Sequence, residues 1–390
     1  MPNPAALPHA RRMRDIEPFH VLALLARARA LEAEGRTIVH MEIGEPDFPS
    51  PKPVIKAAIE ALSKGDVHYT PALGLPQLRE AIARFYRSRY GVAISPRRVI
   101  VTPGASGAFL LVMAAVVGPK DQVLVGDPSY PCNRHFVRVM EGEPLAIPVG
   151  AESGYQFTAE HVRQNWSERT AAVLLASPSN PTGTLIGRTT LAEIFAQTQA
   201  HGAALIVDEI YHGLVYEGES QTALALSDDV FVINSFSKYF NMTGWRLGWL
   251  VAPEQYLDDI EKLAQNLFLA ASTPAQFAAL AAFAPETISI LEGRREKFRA
   301  RRDYLVPALI ELGFEIPVVP QGAFYVYANC QRLTSDSFDF ASSLLEEAGV
   351  AITPGADFGA HAASSHVRFA YTTSAASLRE GVRRLREYLS

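Results

Sequence analysis

Seven short apolar runs dominate the middle of this chain, at 99–101, 123–125, 145–147, 171–175, 203–207, 230–233 and 247–251. They are rich in aliphatic and β-branched residues, and they are continuous rather than alternating. Alternation marks a strand with one wet face, whereas a continuous run marks a strand covered on both faces. Several of the runs are separated by helical patterns. Between two of them, Leu191, Ile194, Phe195 and Thr198 share one helix face, Thr190-Leu191-Ala192-Glu193 reads as a capping box, and Gly202 closes the helix. The middle of the chain is therefore expected to be α/β with a mostly parallel sheet.

The flanks read differently. Residues 19–34 predict a helix ended by Gly35, followed by an extended piece over 38–43, a Gly-Glu-Pro-Asp turn at 44–47, and helices near 53–63 and 76–89. Beyond Pro285 the pattern predicts a long charged helix over 286–312, a strand at 324–328, a helix near 337–348, a strand at 367–371 and a helix at 376–389. These last elements read as a smaller α+β unit, which the N-terminal helix joins. A length of 390 residues suits two domains.

Charge and cysteine usage narrow the function. The chain has 36 lysines and arginines against 41 acids, a net charge of −5, with no basic block, which argues against a nucleic-acid partner. Cys132 and Cys330 can form no disulfide framework and lack the spacing of a zinc site, so no metal is expected and a reducing cytoplasm is. Arg27 and Arg29 interrupt the apolar stretch after Phe19, unlike a signal peptide. The apolar stretch 109–117 is too short to span a bilayer, which needs ~20 residues, and reads as a buried helix.

Five segments carry candidate chemistry. Asp208 ends the run 203–207, and ligands of open α/β sheets sit outside the carboxyl ends of the strands. A helix cap or a Mg²⁺ ligand would give the same pattern. Lys238, in Ser235-Phe236-Ser237-Lys238, follows the run 230–233. It could be an ordinary surface lysine, but Arg246 and a glycine-bearing turn follow it, and hydroxyls with two cations suit an anion such as a phosphate. Thr102-Pro103-Gly104-Ala105-Ser106-Gly107 lies between a strand and an apolar helix, where a helix start with small residues can cradle phosphate. It is neither a P-loop nor a dinucleotide fingerprint. Ser179-Asn180-Pro181-Thr182-Gly183 is a turn after a strand. Arg368 alternates with apolar neighbours, so it needs a carboxylate or phosphate partner, or a structural salt bridge. Together these are the parts that a pyridoxal 5'-phosphate (PLP) site needs: an amine for the aldehyde, an acid for the pyridine nitrogen, a phosphate cradle and a carboxylate clamp.

The ordered series Tyr69-x₄-Gly74 with Leu78-Arg79, Pro128-Ser129-Tyr130-Pro131, Ser179 to Gly183, Asp208-Glu209-Ile210-Tyr211, Ser235 to Lys238, Gly244-Trp245-Arg246-Leu247-Gly248 and Val367-Arg368-Phe369 covers essentially the whole chain. In this it resembles the class I/II PLP-dependent aminotransferases of the aspartate aminotransferase fold type. The resemblance implies a large PLP-binding domain over 45–285, with a mixed, mostly parallel seven-stranded sheet covered by helices, and a small domain built from 1–44 and 286–390. It implies transfer of an amino group from an L-amino acid to a 2-oxo acid by a ping-pong mechanism through a Schiff base on Lys238. By the same resemblance, Asp208 pairs with the pyridine nitrogen, Tyr211 and Asn180 bond the ring oxygen, and Tyr130 stacks on the ring. Ser235, Arg246, Ser106, Gly104 and Ala105 hold the phosphate, and Tyr69 reaches the phosphate of a neighbouring subunit in a homodimer. Arg368, with Asn180 and the backbone of Gly44, binds the substrate carboxylate. No second arginine for a side-chain carboxylate stands out, so the donor is left open among alanine, aromatic, aliphatic and other amino acids. The same fold also serves C–S β-lyases and related carbanion chemistry. A PLP-sensing regulator would need a DNA-binding module before the first helix.

Overall fold

The computed structural model describes residues 9–390 apart from Phe19, Asp66 and Glu219. Residues 1–8 and Phe19, which the sequence reading assigns to the small domain, lie outside the described residues. From the N-terminus, α1 (His20–Ala33) leads to β1 (Val39–His40), α2 (Lys52–Ser63) and α3 (Pro76–Tyr90). Then strands and helices alternate: β2 (Val99–Thr102), α4 (Gly104–Val116), β3 (Gln122–Asp127), α5 (Cys132–Val139), β4 (Glu143–Pro148), α6 (Ala159–Gln164), β5 (Thr170–Ala176), α7 (Arg188–Ala200), β6 (Ala204–Asp208), β7 (Val230–Ser235) and β8 (Gly248–Val251). The chain ends with α8 (Leu257–Leu267), α9 (Thr273–Leu280), α10 (Pro285–Glu311), β9 (Tyr325–Asn329), α11 (Ser337–Ser343), β10 (Val350–Ala351), β11 (Thr353–Pro354), β12 (His366–Ala370) and α12 (Ala375–Leu389).

All seven apolar runs become strands of one sheet, in the order β2-β8-β7-β6-β5-β3-β4. Every pairing is parallel except those of β8, which is antiparallel to both β2 and β7. The runs are continuous because both faces are covered. Val99, Val101, Leu205, Val207, Val230 and Val232 enter one core, while Ile100, Ile206, Phe231 and Ile233 enter the other. The stretch 109–117 lies mostly in α4 and is largely buried, and no helix among the described residues is long and apolar enough to cross a membrane.

The two chain ends meet. β1 pairs in parallel with β10, and Ala28 and Leu31 of α1 pack with Ile38, Leu345 and Ala351. A separate three-stranded antiparallel sheet runs β11-β12-β9. Two local expectations need correction. The capping box at 190–193 does not form. Helix α7 begins at Arg188, with Gly187 as an extended N-cap that offers no side-chain bond, so Thr190 lies inside the first turn. The helix expected near 337–348 splits into α11 and one π-helical turn, Leu344–Ala348, before Gly349 ends it with φ 64°.

Candidate active site

Strands β2 to β7 all run one way, so their carboxyl ends share one edge of the sheet, the usual place for a ligand. A cavity of about 460 Å³ opens there. Of the predicted site residues, Gly44, Ala105, Ser106, Tyr130, Asn180, Asp208, Tyr211, Ser235, Lys238, Arg246 and Arg368 line it; Gly104 and Tyr69 do not.

Asp208 is the last residue of β6 and is 6% exposed. Its Oδ1 accepts the Ile210 N–H at 3.0 Å, and no cation lies within ion-pair distance among the described residues. Burial pushes its carboxyl up to about 7, against the pull of the Ile210 N–H and of Lys238. Lys238 follows β7. Its Nζ donates to the Gly44 carbonyl at 2.7 Å and stands 5.8 Å from the centre of the Phe324 ring. Burial is the main cause that brings its ammonium down to about 8; Glu45 opposes this, and Arg368 and Arg246 reinforce it. Gly44 must be glycine here, because a Cβ would overlap the Tyr325 hydroxyl. That hydroxyl lies 2.9 Å from the hydroxyl of Tyr211.

Cation and open donors gather at the start of α4. The helix has no side-chain cap, so its first N–H groups are unmatched within it. Arg246 stands beside this start: a Cβ on Gly104, whose φ is 70°, would come 2.8 Å from Arg246 Nη2. Arg246 itself takes φ 51°, a strained value for a residue with a side chain, and its Nη1 donates to the Thr243 carbonyl at 3.1 Å. It has no carboxylate partner among the described residues. Ser235 Oγ accepts the Ser237 N–H at 3.0 Å, which ties the turn before Lys238 back to β7. Unpaired helix N–H groups beside a guanidinium held only by a carbonyl are suited to an anion.

Arg368 on β12 is 4% exposed and likewise has no acidic partner among the described residues. Nη1 donates to Asn180 Oδ1 at 3.0 Å, Nη2 to the Glu42 carbonyl and to Thr353 Oγ1, and Nε has no partner. A buried guanidinium held only by neutral acceptors leaves its charge for a ligand carboxylate. Tyr69 is 83% exposed. Also lining the cavity, and not among the residues expected there, are Ser237, Tyr325, Glu45 and the wall formed by Val21, Leu22, Leu25 and Arg29. That wall had a signal, since positions 21, 25 and 29 recur at helical spacing. Altogether the cavity presents a lysine amine, a buried acid, an uncapped helix start beside one arginine, and a second, buried arginine with no acidic partner among the described residues.

Comparison with known proteins agrees with this arrangement. Residues 36–385 match the family model described as aminotransferase class I and II. The valine–pyruvate aminotransferase of Mycobacterium tuberculosis is 38% identical over 376 residues, covering 96% of this chain and 97% of that protein. The crystal structure of an aminotransferase from Mycobacterium tuberculosis superposes with a TM-score of 0.95 at 37% identity, over 98% of this chain and 99% of that one. The aspartate aminotransferase of Thermus thermophilus, solved with maleate, gives 0.92 at 34% identity, again over 98% and 99%. With motifs, sheet topology and cavity in agreement along the whole chain, this protein is an aminotransferase of the class I and II family.

Proposed function

We propose that this aminotransferase works with PLP on Lys238 and exchanges amino groups between an apolar L-amino acid and a 2-oxo acid. The observation that carries the reading is the placing, at adjoining strand ends of one cavity, of a buried carboxylate without a cation, Asp208, and a part-buried lysine amine held only by the Gly44 carbonyl, Lys238. The cavity fits the cofactor by its own chemistry. Asp208 lacks a cation, which a protonated ring nitrogen supplies, and the start of α4 beside Arg246 lacks an anion, which a phosphate supplies.

When bound, PLP supplies an aldehyde that condenses with amines and a protonated ring that takes up the electrons left by a departing α-proton. In this reading Asp208 keeps that ring protonated through a charge-assisted hydrogen bond. Lys238 would hold the cofactor in the resting enzyme, and its free Nζ would be the base for the donor's α-proton. Its lowered pKa favours the neutral amine that this needs. Tyr211 and Asn180 would hydrogen-bond the ring oxygen, and Tyr130 would lie against the ring. Gly104, Ala105, Ser106, Ser235 and Arg246 hold the phosphate. Arg368 binds the substrate carboxylate with help from Asn180 and Gly44.

The wall of the cavity supports the donor class. Val21, Leu22 and Leu25 offer an apolar surface, and Arg29, one turn further along α1, adds a cation suited to a dicarboxylic acceptor. We also propose the two domains at 45–285 and at 1–44 with 286–390, a cytoplasmic setting in keeping with free Cys132 and Cys330, and a homodimer in which Tyr69 completes the neighbouring site. The exposed apolar residues Ile55, Ile59 and Leu62 of α2, close in sequence to Val67 and Tyr69, support a dimer.

Borohydride reduction of the PLP-loaded protein and peptide mass mapping test the lysine; a label on another lysine overturns the assignment. Titration with single amino acids, followed by absorbance and product analysis, tests the reaction. Apolar donors are expected to convert the cofactor to its amine form more readily than aspartate does. Release of pyruvate and ammonia from a β-substituted alanine without any acceptor acid would instead identify a lyase.

A further inference from the structure

Arg368 hangs on a chain of groups that the roles above leave unused. Its Nη2 donates to the Glu42 carbonyl and, at 3.2 Å, to Thr353 Oγ1. The Thr353 hydroxyl donates to the same Glu42 carbonyl at 3.0 Å. The placement of Nη2 therefore depends on where one backbone oxygen stands, while Asn180 Oδ1 holds Nη1.

The Glu42 side chain is fully buried at 0% exposure, and its Oε2 has no hydrogen-bond partner among the described residues. A carboxylate in such a place needs a cation. His40 supplies one. Its Nδ1 lies 2.7 Å from Glu42 Oε1, and its Nε2 lies 3.2 Å from Glu32 Oε1 on α1. His40 ends β1 and Glu42 lies two residues beyond it, so one short stretch brings both side chains together. Only the imidazolium can donate from both nitrogens at once.

We infer that Glu32, His40 and Glu42 form an ion triad that positions Arg368 for the substrate carboxylate and ties α1, the cavity wall, to the same point. The inference rests on the reading of Arg368 as the carboxylate contact. Among the described residues, only Glu32 and Glu42 are hydrogen-bonded or ion-paired to the ring of His40. Its partner across β10 is Ala351, and on α12 Arg384 turns to the carbonyls of Thr37, Ala348 and Gly349. Glu42 first and Glu32 second outweigh the burial of His40 and raise it to about 9. The triad is thus intact at neutral pH and loses its proton as pH rises through that value.

Steady-state kinetics of the PLP-loaded dimer, with binding of an unreactive carboxylic acid followed by cofactor absorbance, test the triad. His40→Gln removes the cation. It is expected to raise KM for both substrates and Kd for the inert acid about tenfold, the scale of one charge-assisted contact, while kcat stays within about twofold. Glu32→Gln, at a side chain 43% exposed, spares the core and is the safer variant for folding. It is expected to move the alkaline rise in KM to lower pH, because Glu32 no longer holds the proton on His40. Arg368→Lys serves as the reference. Unchanged KM in Arg368→Lys overturns the reading of Arg368 itself. Raised KM there, with an unshifted alkaline limb in Glu32→Gln, overturns the triad alone.

Discussion

Arg368 and Lys238 carry the proposed chemistry, and their surroundings set what each can do. Arg368 keeps its charge in the protein interior with only neutral acceptors around it. A lysine there has no planar fork and cannot bind a carboxylate through two parallel bonds. Arg368→Lys should raise KM for the amino acid and the 2-oxo acid by about 10- to 100-fold, the loss of a charge-assisted bond, with PLP affinity unchanged. Steady-state kinetics beside a PLP titration separate the two, and unchanged KM values would contradict the assignment. Lys238 titrates near 8 because burial destabilises its charged form. Only the neutral amine attacks an aldehyde, so capture of PLP by the apoprotein should speed up as pH rises to about 8 and then level off. Stopped-flow absorbance measures this. A rate still climbing toward 10.5, the value of a solvated lysine, would mean that the amine is not desolvated.

The backbone half of the proposed anion site, the start of α4, is placed by the packing of elements. Helix α4 starts hard against the first residue of β8, and a Cβ on Gly248 would stand 2.7 Å from the Ala105 nitrogen. Gly248 also faces Thr102 of β2 and Ser235 of β7 in register, so the backbone has no room to yield on either side. Gly248→Ala should destabilise the protein by about 1–3 kcal/mol, as overpacking of a tight core does. It should also push the start of α4 off its position, so PLP affinity should fall more than that of a variant destabilised elsewhere to the same degree. Denaturant unfolding of the apoprotein and a PLP titration measure the two effects. Wild-type values in both would show that the close approach is not required.

In the proposed homodimer, assembly completes the cavity through Tyr69. Ile55, Ile59 and Leu62 recur at helical spacing on the outer side of α2, with Ile59 57% exposed, and Tyr69 beyond them is 83% exposed. An apolar stripe on a helix that already buries Val54, Ala58 and Ala61 is costly to leave in water. Ile59→Lys should leave the single-chain fold intact, because the side chain faces outward, but convert a dimer to a monomer in sedimentation velocity. Turnover should fall with it if Tyr69 completes the neighbouring site. A monomeric variant with full activity, or a wild-type protein that sediments as an active monomer, would rule out shared sites.

The seven strands were legible from local composition, since a strand covered on both faces must be apolar at successive positions; Val99 to Val101 and Leu205 to Val207 read this way without a neighbour in view. Asp208, Lys238 and Arg368 were legible too, as charged residues at the ends of or within such runs. The capping box at 190–193 misled because a good local cap competes with where the β5 connection delivers the chain, and Gly187 starts the helix earlier. Nothing local announces Glu42, Thr353 or Tyr325. They matter through a backbone oxygen and hydroxyls brought together by pairings such as Thr353 with Arg368 and by the approach of β1 to β10. The antiparallel course of β8 belongs to the same class. Side-chain patterning fixes which faces are buried, but strand order and the meeting of residues over 300 positions apart, as in Glu42 and Arg368, depend on how separate elements pack, and that is settled only in three dimensions.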